Sequence, residues 1–291
     1  MGRSAISLAK PDILAALDAT RQRVFKRREI EAMLDRHRKT WRLPASFGAE
    51  KFLEYLLANT ALHKVELKFP YRPETLFVWR EASLLKIAAS IKPGGYFSHY
   101  TALHLHELTD QVPKTIYLNH EQRPQPAPTD APNQARIDAA FRRPQRQSKN
   151  IATWKGMRIC LINGKATSRL GVIQGATTQG ETYDYTNLER TLIDAAVRPA
   201  YAGGVGEVLR AYRRAQPKVS INKLMATLRK LDYLYPYQQA IGFYLERADV
   251  YGESQIELVR DRPFEFDFYL AHGMKETAYS ARWRLYYPKG L

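Results

Sequence analysis

Lysine and arginine side chains are dense between residues 21 and 42, where they are suited to binding phosphate groups. The sequence of 291 residues has a formal net charge of +16 and a pI of about 9.8. Nucleic acid is the leading partner for that balance, because a cluster of exposed cations attracts a polyanion. The alternative is that these charges form only the solvated faces of helices. The residues are Arg21, Arg23, Lys26, Arg27, Arg28, Arg36, Arg38, Lys39 and Arg42.

Three histidines and one cysteine are the candidate metal ligands, and their spacing argues against a metal site. Two histidine ligands on one helical face are four residues apart, whereas His99 and His104 are five apart and His106 follows two later. We expect these histidines to be hydrogen-bonded within or beside the core. Cys160 is the sole cysteine, so neither an intrachain disulfide nor a cysteine-ligated structural zinc site is possible. We expect no cofactor.

An acidic group near the C-terminus is the best candidate for enzymatic chemistry, as a magnesium site of the nuclease type. Such nucleases often use a Glu-x-Lys pair, and the segment 265–267 lacks the lysine. Neighbouring Arg260 and Arg262 favour surface ion pairs instead. A nucleophile elbow, a phosphate-binding loop, a HExxH helix and a dinucleotide fingerprint are all missing from the sequence, which predicts that the protein is not an enzyme. The acidic residues are Glu257, Asp261, Glu265 and Asp267.

The elements that position the basic residues follow the order of a winged helix-turn-helix. Apolar stripes with helical spacing lie at residues 30–37 and 49–57. Val65, Leu67 and Phe69 then alternate with charged residues as in a half-buried strand, and a returning strand follows at 76–79. A first helix, with Pro11 in its opening turn, would precede them. The pattern predicts an α+β fold, with a winged helix-turn-helix at 1–92 and a larger mixed α/β domain at 93–291.

In a winged helix the second helix of the pair enters the major groove, led by its N-terminal residues. Here that helix is predicted to begin near residues 44–46, with Ser46 as N-cap. Residues at the wing tip could reach a phosphate or the minor groove. A second basic cluster follows a proline-rich loop at 120–132, and it either extends the DNA-binding face or forms a solvated loop. The candidate DNA-binding residues are Lys26, Arg28, Arg38, Lys39, Arg42, Ser46, Lys51, Lys68, Tyr71, Arg72, Arg142, Arg143 and Arg146.

The second domain is predicted to mix short strands with helices. Thr186 and Glu189 have the spacing of a capping box at a helix start. On that helix Asp194 lies four residues from both Arg190 and Arg198, which favours a structural ion pair over a catalytic carboxylate. Two one-sided strands, at 264–270 and 283–287, are predicted to pair late in the domain.

Two segments of this domain resemble AbiEi-type antitoxins of the type IV toxin–antitoxin systems. One runs from Tyr96 to Thr109 and is closed by Pro-Lys-Thr-Ile-Tyr-Leu at 113–118. The other is Thr186–Asp194. The connection from Thr40 to Ser46 is longer than the spacing associated with the family. The matching positions of the first segment are Tyr96, Ser98, Ala102, Leu103, His106, Leu108 and Thr109.

The resemblance implies a winged-helix domain followed by an α/β antitoxin domain, in a phage-defence system. It further implies an autorepressor that binds double-stranded DNA in its own promoter, at inverted repeats. The implied toxin is an AbiEii-like nucleotidyltransferase, opposed without need of a stable complex. Two alternatives stay open: a ligand-responsive winged-helix regulator unconnected to a toxin, and a metal-dependent DNA-processing enzyme.

The first ten residues do not have the character of a targeting signal. They lack the apolar core of a signal peptide, and no apolar run in the sequence is long enough to span a bilayer. The sequence therefore predicts a cytoplasmic protein without a membrane partner.

Overall fold

A computed structural model describes residues 4–20, 22–124, 132–261 and 263–291. The chain is an α+β protein, as the sequence predicts. Arg21, Arg262 and most of the proline-rich loop lie outside the described residues. The chain folds into two compact units. Within the described ranges, no helix combines the length and apolarity needed to cross a membrane.

Unit 1 extends to Pro93 and also contains two short later segments, Ala152–Gly156 and Ala176–Tyr183. The sequence placed both segments in the second domain. Glu181 helps to hold one of them, because its carboxylate accepts a hydrogen bond from the backbone N–H of Ser83 at 3.1 Å. The elements of unit 1 before Pro93 are α1 Ala5–Ala19, β1 Val24–Phe25, α2 Arg27–His37, α3 Ala49–Asn59, β2 Leu62–Leu67, β3 Glu74–Trp79 and α4 Leu84–Ala89.

The order of these elements is that of a winged helix-turn-helix. The three strands form an antiparallel sheet in the order β1-β3-β2. Ile30 and Leu34 of α2 and Phe52 and Leu56 of α3 are fully buried, because each helix turns one apolar stripe inward. The Trp79 indole also donates to Asp18 of α1 at 2.9 Å. The predicted helix, helix and ribbon are therefore confirmed.

Two predicted helix starts in unit 1 are wrong, and one strand was not predicted. Pro11 lies inside α1, which begins at Ala5 and is capped by Ser4. Ser46 does not cap α3, because the connection continues to Gly48 and that residue is the N-cap. Residues 24–25 form a strand that pairs with β3, which had no counterpart in the predicted elements.

The elements from Tyr96 onward are β4 Tyr96–Phe97, α5 His99–Leu105, β5 Thr115–Glu121, α6 Gln134–Arg142, β6 Ile151–Trp154, β7 Met157–Gly164, β8 Val172–Ala176, β9 Thr182–Thr186, α7 Leu188–Val197, α8 Val205–Ala215, α9 Ile221–Leu231, α10 Tyr237–Ala248, α11 Glu253–Glu257, β10 Phe268–Tyr269, β11 Thr277–Ser280 and β12 Leu285–Pro288. Most strands of a six-stranded mixed sheet, in the order β6-β7-β5-β4-β9-β8, belong to unit 2. Within this sheet β5 and β7 run parallel, and a separate three-stranded sheet, β10-β12-β11, forms near the C-terminus.

Helix α7 is the central helix of unit 2 and is buried along most of its length. Its N-cap is Asn187, whose side chain accepts from the Arg190 N–H at 2.9 Å. The predicted capping box is therefore wrong. Thr186 instead bonds Thr191 at 2.7 Å between hydroxyls, and Glu189 pairs with Lys223.

Most of the polar groups that the sequence singled out in unit 2 have structural partners. Arg190 Nε lies 2.7 Å from Asp194 Oδ1, and both side chains are buried, which confirms the predicted ion pair. His99 and His106 are hydrogen-bonded as predicted, with His106 Nε2 2.8 Å from the Thr186 carbonyl oxygen. For His104 the prediction is wrong, because its side chain is exposed to solvent. No group of three or more histidine, cysteine, aspartate or glutamate side chains among the described residues could hold a metal ion.

Three of the four C-terminal acidic residues, Glu257, Asp261 and Asp267, form ion pairs with arginines, as predicted. Glu257 contacts Arg260 at 3.0 Å, and Asp267 contacts Arg284 at 2.9 Å. The late strand pair exists as β10 and β12, but β10 is only two residues long, and β11 joins from a segment where no strand was predicted.

Candidate nucleic-acid interface

The connection between α2 and α3 is an ordered turn whose apolar side chains are buried and whose cationic side chains are exposed. The N–H of Leu43 donates to the Arg38 carbonyl at 3.0 Å and that of Arg42 to the Lys39 carbonyl at 3.1 Å, which is the pattern of a Schellman turn. Trp41 and Leu43 are buried, whereas Lys39 and Arg42 are exposed. Packing of the two apolar side chains thus fixes the backbone from which the two cations project.

Arg42 adopts the left-handed conformation, with φ of 52°. This is the position of such a turn that glycine usually occupies, because an L side chain there is disfavoured by about 1–2 kcal/mol. Other described residues, Arg80 among them, share this conformation, so it does not by itself assign a function to Arg42.

Two of the side chains predicted to contact DNA, Arg38 and Lys26, already donate hydrogen bonds within unit 1. The Arg38 guanidinium donates to the carbonyls of Pro44 at 3.1 Å and Phe47 at 2.7 Å, and so it braces the connection. Lys26 Nζ donates to the Ile91 carbonyl at 2.8 Å. Both side chains satisfy backbone acceptors that would otherwise lose a hydrogen bond, so we remove them from the set of candidate phosphate ligands.

The outward face of α3 is not strongly basic. Lys51 is exposed in the first turn, between Glu50 and Glu54. The Glu50 carboxylate is paired with the guanidinium of Arg27 on α2, which also contacts Glu31 at 2.9 Å. Glu54 has no cationic partner among the described residues. Sequence reasoning overlooked Glu54, although helical periodicity places it opposite the buried stripe of α3.

The wing is formed by residues 68–73, between β2 and β3. Phe69 is buried and fixes the wing to the core of the unit. Lys68, Tyr71 and Arg72 are exposed, and the exposed fraction of Tyr71 is 76%. An exposed tyrosine between two cations can contact a phosphate through its hydroxyl while its ring lies against a sugar.

The candidate DNA-binding cations that remain on unit 1 lie on α2, the connection, α3 and the wing. None forms a direct ion pair with a carboxylate in the part of the chain that the structure describes. They are Arg28, Lys39, Arg42, Lys51, Lys68 and Arg72. Ser46 is also exposed, in the turn before α3. The exposed candidate cations thus lie on α2, on the connection before α3, on α3 and on the wing, and their contact with DNA stays a prediction.

The second basic cluster belongs to unit 2. Arg142 ends α6, and Arg143 and Arg146 follow it, all exposed. The segment after α6 is held by polar contacts, since Gln145 donates to the Val197 carbonyl at 3.3 Å and the Ser148 N–H donates to the Tyr201 hydroxyl at 2.6 Å. The cluster is therefore an ordered cationic surface of unit 2, and its contact with DNA stays a prediction.

Comparisons with known proteins give a similar fold and no family. No family model and no curated protein matches the sequence. The fold is similar to that in the crystal structure of the RV2827C protein from Mycobacterium tuberculosis, with a TM-score of 0.56 and 13% sequence identity. The similarity covers 99% of this chain and 92% of that one, so it extends to both units.

Proposed function

We propose that this protein is a DNA-binding antitoxin of a type IV toxin–antitoxin system and the transcriptional autorepressor of its own operon. The observation that carries the DNA-binding part is the set of exposed cations on the connection, α3 and wing of a winged helix-turn-helix. The antitoxin part is supported by the resemblance of the segments 96–118 and 186–194 to AbiEi-type antitoxins.

In this proposal phosphate contacts supply most of the affinity. Lys39 and Arg42 bind the backbone beside the groove that α3 enters, and Lys68 and Arg72 bind it from the wing. Each phosphate neutralised makes the fall of log K with log salt concentration steeper by about 0.9. Binding therefore weakens steeply between low and physiological salt.

Side chains in the turn before α3 and in the first half of α3 select the bases. Lys51 can donate to guanine and Ser46 to several bases, whereas Glu54 can accept from the exocyclic amine of cytosine. A carboxylate without a cationic partner also repels phosphates. Glu54 should therefore lower the affinity for DNA sites at which no base donates a hydrogen bond to its carboxylate. This combination favours specific over non-specific binding.

Charge-neutralising variants test the placement of this interface. Lys39→Gln together with Arg42→Gln should weaken binding by about 2 kcal/mol at low salt, roughly 1 kcal/mol for each contact, and reduce the salt slope by nearly 2. The matched control is Lys10→Gln with Lys86→Gln, which removes two cations from α1 and α4. Equal losses in both pairs would mean that only net charge matters.

The second basic cluster is tested separately. Replacement of Arg142, Arg143 and Arg146 by glutamine should lower the salt slope if unit 2 contacts DNA. A wild-type slope would restrict the interface to unit 1.

The toxin part of the proposal needs a genetic readout. An operator with inverted repeats would place two copies on DNA, and the toxin would be an AbiEii-like nucleotidyltransferase encoded beside this chain. Co-expression of this chain should restore growth to cells that produce the toxin. If toxin neutralisation does not depend on DNA binding, the Lys39→Gln, Arg42→Gln double variant should restore growth as well. Failure of the wild-type chain to restore growth would remove the antitoxin claim.

The second candidate function is a cytoplasmic, ligand-responsive winged-helix regulator of transcription that is unconnected to a toxin. A cavity in unit 2 favours this function, because it could hold the ligand. A metal-dependent nuclease finds less support, because Glu257, Asp261 and Asp267 are engaged by arginines.

A further inference from the structure

A cavity of about 760 Å³ opens in unit 2 at the carboxyl ends of β5 and β7. The two strands are parallel, with Glu121 beside Gly164, so the segments that leave them meet at one edge of the sheet. Small-molecule sites occupy roughly 300–1,000 Å³, and α/β sheets bind ligands outside the carboxyl ends of their strands. Size and position are thus those of a ligand site.

The lining of this cavity has an excess of positive charge. Its charged side chains are the basic Arg123, Lys165, Arg190 and Arg198 and the acidic Asp194 and Asp232. Arg190 is neutralised by Asp194, at 2.7 Å, with both side chains 5–6% exposed. Arg198 is half-buried, and its guanidinium lies 5.7 Å from the ring centroid of Tyr201. It is within electrostatic reach of Asp194 but forms no direct ion pair with a carboxylate among the described residues. Because Asp194 is already paired with Arg190, the Arg198 guanidinium is open to an anionic ligand.

His99 adds a neutral polar group to the same wall. Its Nδ1 lies 2.8 Å from the Ser98 hydroxyl, and its backbone is left-handed, with φ of 52°. Burial, reinforced by Arg198 and Arg190, lowers the pKa of His99 to about 3, so the ring is uncharged at neutral pH. With Nδ1 engaged, Nε2 is available to a ligand atom.

Another part of the lining is aromatic. Tyr233 and Tyr235 come from the connection between α9 and α10, and Tyr237 is the first residue of α10. The ring centroids of Tyr233 and Tyr237 are 5.4 Å apart, and Lys165 Nζ lies 5.5 Å from the Tyr233 centroid. Burial raises the pKa of Tyr233 and Tyr237, which keeps both phenols neutral. Such a wall suits a planar ring, which stacks on tyrosine.

We propose that this cavity binds a nucleoside phosphate, with the phosphate at Arg198 and Arg123 and the base against Tyr233 and Tyr235. The planar guanidinium matches the geometry of phosphate oxygens, and the tyrosines supply the surface for the base. Inorganic phosphate would use only the cationic half of the site, and a free nucleoside only the aromatic half. This inference is independent of DNA binding and of the toxin.

Thermal shift and calorimetry on the full chain test the proposal. The probes are the adenine, guanine, cytosine and uracil nucleoside mono-, di- and triphosphates, with inorganic phosphate and the four nucleosides as partial ligands. At a hundredfold excess over its dissociation constant, the preferred nucleotide should raise Tm by roughly 5–10 °C. Phosphate and the free nucleoside should each bind at least tenfold more weakly, roughly what loss of one charge-assisted contact costs.

Single variants locate the site. Arg198→Gln, and separately Arg123→Gln, should weaken nucleotide binding by roughly tenfold or more. Arg123 is exposed, so this variant keeps the test open if Arg198→Gln does not fold. Tyr235→Leu should weaken the nucleotide but not phosphate. The control is Arg158→Gln, at the opposite end of β7, with affinity unchanged within about twofold.

Three results would overturn the inference. One is that no nucleotide at millimolar concentration changes Tm. Another is wild-type nucleotide affinity in both Arg198→Gln and Arg123→Gln. The third is that inorganic phosphate binds as tightly as every nucleotide, which would leave the tyrosine wall without a role.

Discussion

Replacement of Arg42 by glycine should separate stability from DNA binding. Arg42 occupies the left-handed position of the turn after α2, with φ of 52°. An L residue there costs about 1–2 kcal/mol, which glycine avoids. Glycine adds about 0.5–1 kcal/mol of unfolded-state entropy. The difference predicts that Arg42→Gly raises the free energy of unfolding by about 0.5–1 kcal/mol, or Tm by roughly 1–4 °C.

The same change should weaken DNA binding. If Arg42 contacts one phosphate, its loss reduces the salt slope by about 0.9 and the affinity by about 1 kcal/mol at low salt. Stability and affinity would then move in opposite directions. A general disturbance of the fold would lower both.

Arg80→Gly is the matched control. Arg80 is also left-handed, with φ of 58°, but its guanidinium pairs with Asp18 at 2.7 Å. Its removal should leave the salt slope unchanged. Urea unfolding measures the first effect, and fluorescence polarisation of labelled DNA at several salt concentrations measures the second. A wild-type salt slope for Arg42→Gly would refute the assigned contact, and a loss of more than about 1 kcal/mol of stability would refute the conformational reasoning.

Three further predictions follow from single residues. Glu54→Gln should strengthen binding to unrelated DNA, because a carboxylate facing phosphates is removed, and competitor titration should show reduced discrimination. Gly242→Ala should lower the free energy of unfolding by about 1–3 kcal/mol, because the added Cβ would overlap the Trp283 ring. A urea titration would show this as a lower midpoint. His99 is buried and neutral with a pKa of about 3, so unfolding free energy should fall as pH drops from about 6.5 toward 3, by up to about 1.4 kcal/mol per unit. His99→Asn should flatten that dependence between about pH 6.5 and 5.5.

The helices and longer strands of unit 1 could be predicted because their hydrophobic periods are complete. The stripe of α2 and the alternation of β2 each extend over several repeats. Val24–Phe25 has no such repeat, and it becomes a strand only because Val24 pairs with Val78, far along the chain. Short elements fixed by distant partners leave no local signal.

Caps were predictable in kind but not always in position. Ser83 and Ser220 cap α4 and α9, each accepting from the N–H three residues on. At α7, both Thr186 and Asn187 are good N-cap types, so a one-residue shift in register decided the outcome.

The candidate interface was predictable as a set of cations but not in its assignment of roles. Arg38 and Lys26 look like their neighbours in sequence, yet their donors are used by backbone carbonyls that only the folded chain brings near. The cavity of unit 2 left no motif, because its walls come from two strand ends, three helices and the connection between α9 and α10, which are distant in sequence.

Binding of the purified protein to its own upstream DNA tests the central claim most directly. The measurement is a polarisation titration at several salt concentrations, with unrelated DNA as competitor. The proposed autorepressor should bind tightly, resist the competitor and lose affinity with a slope that corresponds to several phosphate contacts. Weak binding that is equal for every sequence would contradict the claim, and function would then have to be sought in unit 2.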